Sequence, residues 1–280
     1  MIEITIEQFE QFLPFVGAAS EDVFYKTEPS FGQVYNDLVT DIISPEYEKQ
    51  AIIEGSSILH NVTYYIVLTT FLERFRSHDV IMTSNGFGVV SNDNIAPASQ
   101  ARVDALEKGM VYNRDCAKHN IINELRRIDG WSETEQAYDC IHSFLWSPVV
   151  LRRYYYTDHK LTFDDLAALR PLITAAEDFL RKQLSDEFIE QLLNEERTAR
   201  FSTNHRLAKL KILDFIAAEI VKSDDSIGRR EPYAPFESVL RFIEEHIEEF
   251  AVYRDSITYK ANHMQNYENK TNDTTFFFAD

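Results

Sequence analysis

Residues 103–130, with the sequence VDALEKGMVYNRDCAKHNIINELRRIDG, decide the fold class because they carry a long helical pattern. Apolar side chains recur there with a period close to that of the α-helix, so they share one face. Gly130 ends the pattern, as glycine often does just beyond a helix. A long amphipathic helix needs other helices to cover its apolar face, which predicts a multi-helix bundle. The face comprises Val103, Leu106, Met110, Ala117, Ile121, Leu125 and Ile128.

Similar patterns on both sides of this segment predict a mainly α protein. The chain starts with a short helix, for which Thr5 and Gln8 form a capping box. Ser132 is the expected N-cap of a helix that ends near Trp146. The longer predicted helices cover residues 31–43, 46–75, 131–146, 163–183, 186–200, 206–222 and 236–257.

An internal sequence match indicates two related helical units. Residues 4–16 align without gaps to residues 161–173, and Pro14 meets Pro171 in that alignment. A duplication explains the match. Chance explains it equally well, because capped amphipathic helices resemble one another. The predicted organisation is an N-terminal helical unit of residues 1–150, a C-terminal helical unit of residues 151–263 and an extended tail of residues 264–280.

Two segments depart from the helical pattern. Residues 78–97 combine glycine, asparagine and proline with one short apolar alternation, which predicts a small β-hairpin-like loop. Residues 264–280 are polar until they reach Phe276, Phe277 and Phe278. Three exposed phenylalanines would lower solubility, so the tail is expected to dock on a neighbouring subunit or to fold back onto its own chain.

The charge balance limits the classes of partner. The chain has 28 Lys and Arg against 46 Asp and Glu, a formal net charge of −18. This charge repels phosphate backbones and anionic membranes. We therefore expect no sequence-specific contact with nucleic acid and no membrane attachment. The first residues lack the features of a signal peptide, and two cysteines in 280 residues are typical of a reducing compartment.

No pattern in the sequence predicts catalysis strongly. Cys116, His119, Cys140 and His142 could together bind zinc, but residues 140 and 142 would point to different sides of a helix. The four glutamates around His246 are expected to form a solvated helix face. Asp158 and His159 are neighbours in a loop, which is common. The sequence therefore predicts no catalytic residue, no cofactor and no metal, and we expect that the protein is not an enzyme.

Three sets of residues are candidates for contacts with other proteins. The first is the aromatic tail, Phe276, Phe277 and Phe278. The second is the tip of the loop, Asn85, Gly86, Phe87 and Gly88. The third joins the two predicted units and combines arginine with tyrosine, residue types that are enriched at interface centres. Packing between the two units explains this composition equally well. It comprises Arg152, Arg153, Tyr154, Tyr155 and Tyr156.

The stretch from Val80 to Leu106 resembles a known family. It reads VIMTSNGFGVVSNDNIAPASQARVDAL. This pattern is similar to an uncharacterised family of helical proteins encoded by tailed phages and prophages of gut bacteria, whose genes lie among head, neck and tail genes. The match covers only about a tenth of the chain, and no catalytic residue can be carried over from the family.

The resemblance implies a structural virion protein. The most specific hypothesis is a head–tail connector or neck adaptor that assembles as a homo-oligomeric ring between portal and tail proteins. Its location would then be the virion, after assembly in the bacterial cytoplasm. One alternative is a soluble acidic helical protein with a binding or regulatory role, and a less favoured one is a metal-dependent hydrolase. Rings seen by microscopy would favour the adaptor, and stoichiometric zinc would favour the hydrolase.

Overall fold

A computed structural model describes most of the chain. It covers residues 2–17, 20–77, 80–83, 86–89, 99–155, 157, 159–223 and 235–264, with the backbone alone for residues 77, 80–83 and 86–89. Within these residues the protein is a mainly α, multi-helix bundle, as the sequence predicts. None of the helices described is long and apolar enough to cross a membrane.

The first half of the chain forms seven α-helices and one hairpin. A π-helix, Val39–Ile43, continues α2 without a break. The helices are α1 (Ile6–Phe12), α2 (Ser20–Leu38), α3 (Glu48–Ala51), α4 (Ser57–Arg74), α5 (Gln100–Leu125), α6 (Glu135–Cys140) and α7 (Pro148–Leu151). Strands β1 (Val80–Thr83) and β2 (Gly86–Val89) pair in antiparallel register between α4 and α5. This hairpin lies inside the segment for which the sequence predicts one.

The second half of the chain forms six α-helices. They are α8 (Phe163–Gln183), α9 (Asp186–Thr198), α10 (Thr203–Ser223), α11 (Phe236–Glu245), α12 (Ala251–Asp255) and α13 (Ile257–Asn262). The predictions for α8, α9 and α10 are confirmed to within a few residues. Their caps explain this agreement, since Thr162 and Ser185 accept hydrogen bonds from the first-turn backbone of α8 and α9.

Four predicted helices are wrong in their extent. The helix predicted for residues 31–43 begins earlier, at Ser20, as α2. Residues 46–75 form α3 and α4 rather than one helix, because Gly55 adopts a left-handed φ of 74° and Ser56 caps a new start. Thr134, and not Ser132, is the N-cap of α6, which ends at Cys140 and not near Trp146. The last predicted helix is divided into three. A 3₁₀ turn, Ile247–Glu249, separates α11 from α12, and Ser256, which is extended, caps α13. A serine or threonine side chain thus caps the new start of α4, α6 and α13, whereas α12 begins without a side-chain cap.

The long pair α4 and α5 runs antiparallel. Asn120 donates to Asn61 at 3.1 Å near one end, and Arg76 pairs with Asp104 at 2.7 Å near the other. The 26 residues of α5 span about 39 Å at the usual rise per residue. Met110 is the first buried residue of α5, so residues 100–109 extend beyond the core. We call residues 100–109 the arm.

The buried apolar residues form one continuous core that draws on both halves of the chain. Helix α7 lies across the predicted division between residues 150 and 151, and all four of its residues are buried. The division into two units and the duplication stay predictions. The capping boxes at Thr5 and Thr162 are both present, but α1 ends before Pro14 whereas α8 continues through Pro171.

Gly130 provides a test of this packing. Its φ of 89° is left-handed, and an added Cβ would overlap the hydroxyl of Tyr47. We expect Gly130→Ala to lower the free energy of unfolding by about 1–2 kcal/mol. Gly109→Ala is the matched control, because Gly109 is helical with no atom within 4 Å of the added Cβ. That change should stabilise by about 0.5–1 kcal/mol in urea unfolding followed by circular dichroism. Equal effects at the two glycines would contradict this account.

Candidate functional site

A non-helical connector, residues 141–147, passes through the centre of the protein. All of it is buried except His142. A chain without helical hydrogen bonds needs other partners for its backbone when it is buried. The carboxylate of Glu177 supplies one such partner, accepting from the Phe144 amide at 2.9 Å, and it also accepts from the Ser143 side chain, at Oγ, at 2.8 Å. Arg197 donates to the carbonyl of Ile141 at 3.0 Å. The connector is thus held by side chains of the second half.

A buried charge network lies beside the connector. Glu196, which is 1% exposed, pairs with Arg126 at 3.2 Å and with Lys209, and it accepts from Trp146 Nε1 at 2.8 Å. Burial alone would raise the pKa of Glu196, but the two cations and the hydrogen bonds hold it below its usual value. The carboxylate is therefore ionised and fully partnered, as a structural buried ion pair must be.

His119 and Ser147 form a hydrogen-bonded pair in the same region, with Nδ1 and Oγ 2.8 Å apart. Burial, reinforced by nearby arginines, lowers the pKa of His119 to about 4, so the imidazole is neutral at pH 7. A neutral histidine beside a serine is the arrangement of a general base and a nucleophile. However, Ser147 is 0% exposed and its Oγ also caps α7 by accepting from the Val150 amide. This pair therefore stabilises the fold.

The residues considered for zinc serve other contacts. His119 is bound to Ser147, and His142 Nδ1 lies 2.8 Å from the carbonyl of Asp139. Burial raises the pKa of the Cys140 thiol to about 11, which disfavours the thiolate that binds metal. Across the described parts of the chain, no three His, Cys, Asp or Glu side chains are grouped so that they could hold a metal ion.

The glutamates around His246 likewise point to separate partners. Glu248 pairs with Arg254 at 2.7 Å, and Glu249 accepts from Asn204 at 2.6 Å. Glu244 lies 3.4 Å from His263. Glu244 lies on α11, whereas Glu248 and Glu249 belong to the 3₁₀ turn Ile247–Glu249 that follows it. The glutamates thus make separate surface contacts and do not converge on one site.

The predicted bridge between the halves lines an open cleft of about 520 Å³, which we call the basic cleft. Arg152 donates to the hydroxyl of Tyr112 and lies 5.8 Å from the centre of its ring. The ammonium group of Lys160 lies 4.6 Å from the same ring. Two cations therefore share one tyrosine. The lining residues are Tyr112, Arg152, Arg153, Tyr155, Thr157, His159, Lys160 and Leu161.

The basic cleft carries positive charge that the described residues leave unpaired. Arg152, Arg153 and Lys160 form no ion pair with any described carboxylate, although the chain has 46 acidic residues. His159 differs, because its ring nitrogen lies 3.1 Å from Asp165. Three unpaired cations around one cleft create a local positive field in a protein of net negative charge.

A second cleft, of about 800 Å³, has the opposite charge, and we call it the acidic cleft. It borders the π-helix and lies between the first helices of the chain and α8. Its cations are Lys118 and Arg170, whereas its carboxylates are Asp37, Asp41, Glu73, Glu135 and Asp139, so the formal balance is 2 − 5 = −3. No described cation forms a salt bridge with any of these five carboxylates. A π-helical turn beside a cleft is a feature often found at functional sites.

The predicted contact residues have different positions in the structure. Arg152 and Arg153 are exposed at the basic cleft, Tyr154 is half-buried and Tyr155 belongs to the core. Tyr156, Asn85 and the aromatic tail Phe276, Phe277 and Phe278 lie outside the described residues. Gly86, Phe87 and Gly88 are described by their backbone alone, in strand β2. Sequence reasoning missed Tyr112 and Lys160, since neither stands in a local pattern with the arginines.

Comparison with known proteins gives one match. A model described as a family of unknown function (DUF6712) matches residues 20–141, which is less than half of the chain. The matched range runs from the start of α2 to the end of α6. It includes the five carboxylates of the acidic cleft and Tyr112, and it ends before Arg152. No curated protein and no solved structure gave a match.

Proposed function

We propose that this chain is a structural virion protein, a head–tail connector or neck adaptor that assembles as a ring between portal and tail proteins. The arm supports this proposal most directly. It extends α5 about 15 Å beyond the first buried residue, and none of its own residues is buried. An ordered helix in that position is available for contact with a neighbouring subunit.

The contacts and exposed residues of the arm also fit an assembly role. Arg76, from the turn after α4, pairs with Asp104 and Glu107 on one side of α5. Leu106 is 38% exposed on the arm. The arm and the β-hairpin coincide with the stretch that resembles phage proteins, and the family match of residues 20–141 spans both.

Exposed apolar side chains near the end of the described chain give further support. Ile257 is 86% exposed and Met264 is 77% exposed, and both precede the aromatic tail in the sequence. Single exposed apolar residues are common on protein surfaces. Met264 begins the tail that carries Phe276, Phe277 and Phe278, and this favours a contact region at this end.

Measurement of the assembly state tests the proposal. Light scattering and negative-stain microscopy of the purified full chain should show closed rings, and mass spectrometry of purified phage particles should detect the protein. A chain that remains monomeric and is absent from particles would overturn the proposal. A monomer that binds a basic protein through the acidic cleft would instead favour the regulatory alternative.

Removal of the tail tests its part in assembly. A chain that ends at His263 should keep its helical fold, because every helix that the structure describes ends before that residue. Its assembly should weaken, since the three phenylalanines would no longer bury their rings against a neighbour. Circular dichroism and light scattering report on the two properties separately. A full-length chain with Phe276, Phe277 and Phe278 changed to serine is the control for chain length. Unchanged assembly in both variants would contradict a role of the tail in assembly.

A further inference from the structure

The basic cleft has the chemistry of a surface that receives carboxylates. Arg152, Arg153 and Lys160 are exposed cations without a described acidic partner. Tyr112 fixes two of them through its ring and its hydroxyl, which lowers the entropy that they would lose on binding. A surface that holds cations in place without neutralising them is prepared for an anionic partner.

The acidic cleft has the chemistry of such a partner, and every copy of the chain carries both clefts. Its formal charge of 2 − 5 = −3 matches the three cations of the basic cleft in magnitude. Asp41, Glu73 and Asp139 are exposed and form no described salt bridge. The matching charges make one copy of the chain complementary to another.

The two clefts face different directions, so the acidic cleft of one copy cannot bind the basic cleft of the same copy. Tyr112 lies at the basic cleft, whereas Lys118 and Ile122 lie at the acidic cleft. At about 100° per residue, these positions are separated by roughly 80–120° around α5. Different patches of identical subunits that meet head to tail form a heterologous contact, and a contact of this type closes into a ring or continues as a filament.

We propose that the basic cleft of one copy binds the acidic cleft of the next copy. This inference rests on the proposed ring-forming function and adds a charged contact between neighbouring copies to those of the arm and the tail. A nucleic-acid phosphate is a less suitable occupant, because the net charge of −18 repels a polyanion as a whole. The carboxylates of an acidic cleft on a second copy are a more suitable occupant, because their charge complements that of the basic cleft locally.

Paired charge reversal tests the contact. The first variant carries Arg152→Glu, Arg153→Glu and Lys160→Glu, and the second carries Asp41→Lys, Glu73→Lys and Asp139→Lys. Each variant alone should associate at least about tenfold more weakly than the unchanged chain in analytical ultracentrifugation. An equimolar mixture should recover association, because each reversed cleft then faces a complementary one. High salt should weaken association of both the unchanged chain and the mixture.

A third variant controls for net charge. It carries Lys49→Glu, Lys182→Glu and Arg206→Glu, three exposed positions away from both clefts, and it changes the charge by the same amount as the first variant. It should associate like the unchanged chain. If a reversed variant fails to fold by circular dichroism, the corresponding glutamine or asparagine variants, which only remove charge, should weaken association in the same way.

The outcomes separate this inference from the proposed function. If the unchanged chain forms rings and either reversed variant forms them equally well, or the mixture does not recover, the cleft contact is overturned and the ring remains. If the unchanged chain is monomeric at all concentrations, the ring itself fails. Binding of a short DNA duplex by the unchanged chain, abolished in the first variant only, would assign the basic cleft to phosphate and overturn the contact.

Discussion

Replacement of Glu196 by alanine is expected to lower the free energy of unfolding by about 3–5 kcal/mol. The carboxylate is 1% exposed and partners Arg126, Lys209 and Trp146. Its removal would leave two cations in a buried site without a counter-charge. Removal of one partner destabilises a protein more than replacement of all partners by apolar residues. Urea unfolding followed by circular dichroism measures the difference.

Glu245→Ala is the matched control for this change. Glu245 is exposed at the end of α11, and no contact of its side chain is described, so the control should stay within about 0.5 kcal/mol of the unchanged chain. An effect of Glu196→Ala no larger than that of the control would show that the network contributes nothing to stability.

The pH dependence of the Glu196 effect follows from the direction of its pKa. The folded protein holds this pKa below the value of an unfolded glutamate. The stabilisation is therefore present above about pH 4.3, the unfolded value, and is lost as the pH falls through the folded pKa. The difference between Glu196→Ala and the unchanged chain should shrink on acidification. A difference that grows in acid would contradict the assignment of an ionised carboxylate.

Replacement of Trp131 by alanine is expected to cost about 3–5 kcal/mol of stability. The side chain is 0% exposed, and its indole Nε1 donates to the carbonyl of Ile42 at 3.2 Å, at the end of the π-helix. Its truncation would leave a large cavity between two elements that are far apart in sequence. Thermal and urea unfolding by circular dichroism should both record the loss.

Trp131→Phe separates packing from hydrogen bonding. It keeps an aromatic ring but leaves the carbonyl of Ile42 without its indole donor. We expect this variant to lose clearly less stability than Trp131→Ala, because the cavity is smaller. Equal losses would mean that the hydrogen bond, and not the packing, dominates at this position.

Local signals explain which parts of the fold the sequence predicted. The start of α8 combines a capping box at Thr162 with a clear apolar period, so its bounds agree with the structure. The break before α4 was missed because Gly55 interrupts an apolar pattern that otherwise continues on both sides. The restart at Ser256 was missed for the same reason, since one serine in a helical pattern resembles an ordinary surface residue.

The candidate site was only partly predictable. Arg152 and Arg153 stand next to three tyrosines, and that composition indicated a contact surface. Tyr112 and Lys160 join them through contacts between residues about 40–50 positions apart, which no local pattern records. The acidic cleft collects its carboxylates from α2, the π-helix, α4 and α6, so it exists only after these elements pack.

The connector has a consequence for the order of events during synthesis. Residues 141–147 leave the ribosome before Glu177, Glu196 and Arg197, the side chains that later satisfy their polar groups. Until α8 and α9 have been translated, the amide of Phe144 and the carbonyl of Ile141 must stay hydrated. The first half of the nascent chain therefore cannot bury residues 141–147 on its own. Folding is completed only after the second half has been synthesised.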